Sequence, residues 1–525
     1  MRSRWLLAIL LCGFSALRLA AQDCPARPDS GTVVNDAYSI LSQNGILSAK
    51  FVMEHSVDKF GYTHYCYKYN ASGQIVEAPT LRVTPGDQLN LEVVNKIKEG
   101  DSKDNLRDMA MAVPAGSRQK TCGDGGAMTL ESTNVHFHGL NVPPICHQDD
   151  VIDTLIQPGS PGFNYSMQIP PTEPPGLYWY HPHVHGFTEF QVNGGAAGAI
   201  VVEGMEKYRP EVTGLTERVF VIRQQYLVPW IPGPYQLTIN HQVASSLGLK
   251  PIIQMKPNEK QFWRVANASI QDFLQLQFLV HDQPRPMEMI ALDGYPLAQT
   301  REQEAILIPP AGRAEFIVQA PAAGGSAVFV TNAYSTGPTG NADVSQVIAN
   351  IQVVSGGDDS QHTPKVTAPA PMSELKFSDL AHAQVTAQRK LFFSEEFGGT
   401  NGPIEFYITV DGQKQKVFEP NEKPVITTKV GAVEDWTIEN RALETHAFHI
   451  HQIHFEVLEI DGKPAANNDL RDTIEIPYWD GKGPYHSVKV RMDFRDPTIA
   501  GTFLFHCHIL LHEDLGMMHK ILVEP

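Results

Sequence analysis

Four stretches of this chain carry histidine at alternate positions: His136 and His138; His181, His183 and His185; His449 and His451; His506 and His508. A spacing of two puts side chains on one face of a β-strand and on different sides of a helix. Paired imidazoles from the first two-fifths and the last fifth of the sequence can therefore share a site only if strands from both ends converge. The run Gly501-Thr502-Phe503-Leu504-Phe505 is aromatic and β-branched, which predicts a strand entering the last stretch. On that strand His506 and His508 face one way and Cys507 faces the other.

The residues around Cys507 have the chemistry of metal ligands. Cys507, His512 and Met517 fall as Cys-x4-His-x4-Met. A thiolate and two imidazoles with a weak axial thioether describe a blue-copper electron-transfer centre. Zinc also takes Cys and His, but it leaves the eight paired imidazoles and the terminal Met unexplained. His446 lies an odd number of residues from His449 and His451, so alternation turns it away from them and toward Cys507, His512 and Met517.

These four motifs, His136-Phe137-His138-Gly139, His181-Pro182-His183, His446-Ala447-Phe448-His449-Ile450-His451 and His506-Cys507-His508 with His512 and Met517, closely resemble those of the multicopper oxidase family, in the family's order. The resemblance covers essentially the whole chain after its N-terminus. It implies an all-β fold of three cupredoxin-like Greek-key β-sandwich domains in tandem and four copper ions. The type 1 copper takes His446, Cys507 and His512 with Met517 axial. The type 2 copper takes His136 and His449. The type 3 pair takes His138, His181, His183, His451, His506 and His508. The family often has Pro after the first His of the third motif and Gly after the last, whereas this chain has Ala447 and Gln452. His185, His454 and His519 are additional to the pattern, and Met518 competes with Met517 for the axial place.

Length, turns and cysteines agree. A chain of 525 residues accommodates two to four domains. Its 41 Gly and 38 Pro punctuate short β-rich runs, among them Leu89 to Ile97, Ala196 to Val202, Arg218 to Gln224 and Gln261 to Ala266, a pattern of sandwiches rather than helices. Arg2 and Arg4, the apolar run Trp5 to Leu17 and the small residues Ala20 and Ala21 read as an export signal over residues 1–22. The first domain is expected over 23–203, a metal-free middle domain acting as a spacer over 204–355, a linker over 356–385 and the last domain over 386–525. With Cys12 in the signal and Cys507 a ligand, Cys24, Cys66, Cys122 and Cys146 remain for disulfides, in any of three connectivities. A net charge of −17 disfavours nucleic acid and anionic membrane as partners. No membrane span is expected in the exported chain, which is read as a periplasmic or secreted monomer.

The function that follows is a laccase-like oxidase. A reductant gives single electrons to the type 1 site through an exposed edge of His512 or His446, Cys507 passes them on, and dioxygen becomes water at the eight-His centre. Oxygen reduction consumes protons, so carboxylates near the cluster are expected; the resemblance implies Asp149, or its neighbour Asp150, where the family often has such an acid, and Glu513 directly after His512 is the other candidate. Phenols and aromatic amines are the expected reductants. The alternative is a metallo-oxidase for Cu⁺, Fe²⁺ or Mn²⁺. Its Cu⁺-specific form often carries a Met-rich insertion, of which Asp108-Met109-Ala110-Met111 is the nearest approach here. A non-catalytic cupredoxin scaffold is disfavoured because no ligand is missing.

Overall fold

The short alternating runs separated by glycine and proline form strands in six principal sheets, paired into three sandwiches. The computed structural model describes residues 24–57, 63–98, 122–225, 236–244, 248–355, 362–365, 368–397 and 404–525. The expected export signal and the Asp108–Met111 segment lie outside these residues. In the first sandwich one sheet runs in the order Ser39–Leu41, Thr80–Val83, Gly198–Val202, Gly176–His181 and His136–His138. The facing sheet contains Phe163–Gln168, Gln88–Asn95, Ile46–Val57, Thr63–Ala71 and Gln74–Glu77. Phe51, Tyr67 and Tyr180 meet between them, with Phe51 and Tyr180 ring centroids 5.4 Å apart. Alternating apolar residues on the two inner faces account for this packing.

The middle sandwich pairs a seven-stranded with a six-stranded sheet around Trp263, and Arg313–Gln319 is an inner strand of the former. The last sandwich repeats the arrangement around Trp436. Its five-stranded sheet runs Ile426–Lys429, Met518–Glu524, Gly501–Cys507, His446–Ile450 and Thr473–Ile476. Between the middle and last sandwiches, part of the expected linker is anchored. Leu375, Phe377 and Leu380 are buried against Tyr295 and Val433.

Two disulfides select one of the three connectivities, Cys24–Cys66 and Cys122–Cys146. Cys507 is buried and unbridged.

Candidate metal centre

Strand register brings the histidines together. In the first sandwich His181 pairs with His136, and Trp179 with His138. In the last, His449 pairs with His506, and Phe448 with Cys507. Residues directly opposite on neighbouring strands share a face, so two imidazole walls form, one per domain. They pack together: His136 stacks on His451 with centroids 3.9 Å apart, and His138 on His449 at 4.0 Å.

Alternation alone does not place every ring. The strands end at His181, Ile450 and Cys507, one or two residues before His183, His451 and His508. Backbone hydrogen bonds replace the ladder. His183 N–H donates to Asn134 Oδ1 at 2.6 Å, His451 N–H to Leu504 O at 3.0 Å, and His508 N–H to Ala447 O at 2.7 Å. Asn134 also donates from Nδ2 to Val151 O, Thr154 O and His183 O, so one buried amide ties the second His stretch to the first.

All eight imidazoles are buried. Burial, and secondarily the neighbouring imidazoles, lower the pKa of His136, His451 and His508 well below the ordinary value. For His138 the next causes after burial are His449 and Arg313, and for His449 they are His506 and His136. Burial brings His181 down to about 3 and His506 to about 4. The rings are therefore neutral, the form that binds a metal. The nitrogens His136 Nε2, His138 Nδ1, His181 Nε2, His449 Nε2, His451 Nδ1 and both of His508 have no hydrogen-bond partner. His506 Nε2 lies 3.1 Å from His451 Nε2 and 3.5 Å from His183 Nε2. Each buried unsatisfied polar atom costs about 1–3 kcal/mol. A cluster of them at one point fits copper ions that would take these nitrogens as ligands.

On the opposite face of Gly501–Cys507, Cys507 Sγ lies 3.6 Å from His446 Nδ1 and 3.9 Å from His512 Nδ1. The three donor atoms are within 4.8 Å of one another. His512 sits on the short helix Leu510–Asp514. Met517 is fully buried beside it, its carbonyl accepting from Cys507 N–H and its own N–H donating to His512 O. The extra histidines lie elsewhere: His454 Nε2 bonds Asp293 O at 2.8 Å, His185 packs on Phe418 and His519 lies beside Phe505.

The expectation of an exposed imidazole edge is not met. His446 is 0% and His512 3% exposed. Their outer nitrogens meet carboxylates instead of open solvent, His446 Nε2 lying 3.4 Å from Glu395 Oε1 and His512 Nε2 3.5 Å from Glu444 Oε2. Phe406 stacks on His512 at 4.0 Å. Burial, and then the charge of Glu395, push Glu444 up to about 8.

Both candidate acids reach the imidazole cluster. Asp149 has each oxygen 3.0 Å from His136 Nδ1 and accepts from Phe137 N–H at 2.9 Å. Glu513 Oε1 lies 3.5 Å from His183 Nε2, and its Oε2 3.3 Å from His506 Nδ1. Burial pushes both carboxyls upward; Glu513 is raised further by Asp514. Gln452, noted in the sequence only as a departure, takes a positive φ of 60° and donates to Asp149 Oδ2. Asn134, Glu395, Glu444 and Asp472 were likewise not singled out by their spacing.

Three segments, 128–207, 212–356 and 398–525, match family models described as multicopper oxidase. A multicopper oxidase of Staphylococcus haemolyticus is 24% identical over 499 residues, 90% of this chain and 91% of that protein. A laccase of Bacillus subtilis is 23% identical over 426 residues, 74% of this chain and 79% of that one. Among solved structures, a Campylobacter jejuni multicopper oxidase described as a metallo-oxidase superposes with a TM-score of 0.65 at 23% identity. It covers 95% of this chain and 96% of its own.

Proposed function

The chain belongs to the multicopper oxidase family, and from that premise we propose that it oxidises phenols and aromatic amines one electron at a time while reducing O₂ to water. As a family member it is a copper-dependent oxidoreductase with O₂ as acceptor. We assign one type 1, one type 2 and two type 3 coppers. His446, Cys507, His512 and Met517 would hold the first, His136 and His449 the second, and His138, His181, His183, His451, His506 and His508 the pair. When bound, copper supplies the electron acceptance at the Cys507 site and the four-electron chemistry on O₂ at the eight-His site.

The observation that carries this reading is the placement of Cys507. Its Sγ faces His446 and His512 while its chain neighbours His506 and His508 face the other cluster. His506 Nδ1 donates to Cys507 O at 3.0 Å, so thiolate and imidazole are joined by one peptide unit and one hydrogen bond. The protein's other task is protons, which Asp149 and Glu513 hold beside His136, His183 and His506.

A second reading, oxidation of a reduced metal ion, is favoured by Glu395 and Glu444. They set two carboxylates against the outer edges of His446 and His512, and carboxylates suit hard divalent cations. Oxygen uptake by copper-loaded enzyme, given a methoxyphenol or a reduced metal ion as sole reductant, separates the two. Uptake with the phenol that disappears in Cys507→Ser, together with the blue colour, supports the laccase-like reading. Uptake only with Fe²⁺, Mn²⁺ or Cu⁺ replaces it with the metal reading, and no uptake with any reductant sinks both.

Export as a monomer is part of the proposal. Two disulfides are the bonds of an oxidising compartment. Among the described residues, no helix is long and apolar enough to cross a membrane. A mature N-terminus beginning near Gln22 or Asp23 in exported protein is the expected result; an intact Met1 rejects cleavage.

A further inference from the structure

All eight imidazoles of the cluster come from the first and last domains, yet the guanidinium that grips the carboxylate beside two of them comes from the middle one. Arg313 opens the strand Arg313–Gln319 and is fully buried. Its guanidinium grips both oxygens of Asp472, Nη1 donating to Oδ1 at 2.7 Å and Nη2 to Oδ2 at 2.5 Å. The remaining donors go to carbonyls: Nη2 to Asp293 O at 2.8 Å, Nε to Leu177 O at 3.1 Å and Nη1 to Ala311 O at 3.2 Å. Leu177 belongs to the first domain, on the strand that ends at His181, and Asp472 to the last. One side chain thus joins all three domains at the edge of the cluster.

Held this way, Asp472 touches two rings. Its Oδ1 lies 3.3 Å from His138 Nε2 and accepts from Thr473 Oγ1 at 2.8 Å, while its backbone carbonyl accepts from His449 Nδ1 at 2.9 Å. The opposite nitrogens, His138 Nδ1 and His449 Nε2, are the ones without a partner. The two rings stack nearly parallel, at 16°. Gly139 leaves the room. A Cβ there would stand 2.6 Å from Arg313 Nη2 and 2.7 Å from Asp472 Oδ2, on a backbone with φ of 87°.

We propose that Arg313 is a positioning residue of the eight-His centre. By clamping Asp472 at two points it fixes which nitrogen of His138 and of His449 faces the metal, and at what angle. The middle domain, which supplies no ligand, then sets the geometry where the other two meet, beyond the spacer role expected of it. The inference rests on His138 and His449 being copper ligands. Asp472 could itself offer an oxygen to a metal beside them, but both its oxygens are held in charge-assisted bonds by Arg313, which favours orienting over ligating.

The distinguishing variants are Arg313→Lys, which keeps the charge but not the planar two-point fork, and Arg313→Met/Asp472→Leu. The double change removes the buried pair together, which proteins tolerate far better than loss of one partner. Blue absorption at Cys507 reports folding of the last domain in each. The expected result is native blue absorption in both variants, an altered EPR signal from the imidazole-bound copper and copper held at that centre about 10- to 100-fold less tightly. A native EPR signal with native copper retention in the double variant would make the pair a structural clamp and overturn the inference. If the double variant does not fold, Arg313→Lys decides, because an unchanged signal there rejects the need for the fork. Copper-loaded unmodified enzyme without blue absorption would instead overturn the family-level reading of the ligands.

Discussion

Asp149 is a carboxyl with no access to bulk water, fixed by His136, the Phe137 N–H and Gln452. Placed so, it can hand a proton to the imidazole cluster without touching the Cys507 site. Asp149→Asn should therefore leave the blue colour and its anaerobic bleaching by reductant unchanged, and slow reoxidation by O₂ roughly 100-fold. Stopped-flow measurement of the two half-reactions checks this; native reoxidation in the variant removes Asp149 from the proton supply. The clustering of the paired imidazoles was legible in the sequence because they repeat at strand spacing, whereas Asp149 was named only from the family resemblance. Gln452 was not legible, since its contact with Asp149 joins positions 303 residues apart through a left-handed turn. Arg313 was less legible still. A single charged residue opening a strand of a metal-free domain has no local pattern that announces a role 159 residues away.

Among elements, the helix Leu510–Asp514 carries both His512 and Glu513 and is pinned across a domain boundary. Asp514 Oδ1 accepts from Thr188 N–H at 3.0 Å and Oδ2 from Glu189 N–H at 2.8 Å, the opening turn of the helix Thr188–Asn193. That helix begins at Phe187, which offers no capping side chain. Asp514→Ala should cost about 1–2 kcal/mol and broaden the blue absorption as His512 loosens, whereas Asp514→Asn keeps one acceptor and should lose less. Equal midpoints for the two variants in thermal denaturation would reject the capping role.

The hairpin Tyr334–Ser335 with Ala342–Asp343 is held differently. Asp343 accepts from Phe273 N–H at 2.9 Å and faces Asp272, which accepts from Gln224 Nε2 at 2.7 Å. Burial pushes Asp272 up to about 7, and burial with the charge of Asp272 pushes Asp343 up to about 8. The folded pair keeps a proton that unfolded aspartates release near pH 4. Its contribution is therefore complete below about pH 4 and declines as pH rises through 7 to 8. Thermal midpoints of Asp343→Asn and the unmodified enzyme should diverge over that interval, the variant gaining relative stability with rising pH; parallel curves would exclude a shared proton. Strands such as Arg218 to Gln224 were legible, appearing as Thr216–Gln225. The placements of His183, His451 and His508 beyond their strand ends were not, because Asn134 and two backbone carbonyls set them.

At the scale of the whole molecule, the joint between the first and middle domains sets a ladder of ion pairs beside an apolar seam of Leu177, Trp179 and Val201 against Val219, Val221 and Ala266. Arg82 pairs with Glu203 and Glu217, Arg264 with Glu217 and Glu315, and Glu315 accepts from Leu177 N–H. Apolar periodicity reveals three sandwiches but does not say which charged and apolar residues of one meet those of the next, so the mutual placement of the domains was the least legible part of the fold. Buried pairs of this kind are screened little by salt. The exterior field is another matter. A net charge of −17 makes the surface attractive to cationic reductants. Raising ionic strength from about 0.01 to 0.15 M shortens the Debye length from about 30 to 8 Å. Over that range kcat/KM for a cationic one-electron reductant should fall by roughly an order of magnitude, that for an anionic one should rise, and a neutral phenol should change little. Because saturating reductant removes the encounter from the rate, kcat should stay level for all three. Oxygen uptake with reductants of matched potential and different charge tests this, and the same salt response for cation and anion would mean that the net charge does not steer the encounter at the site of electron entry.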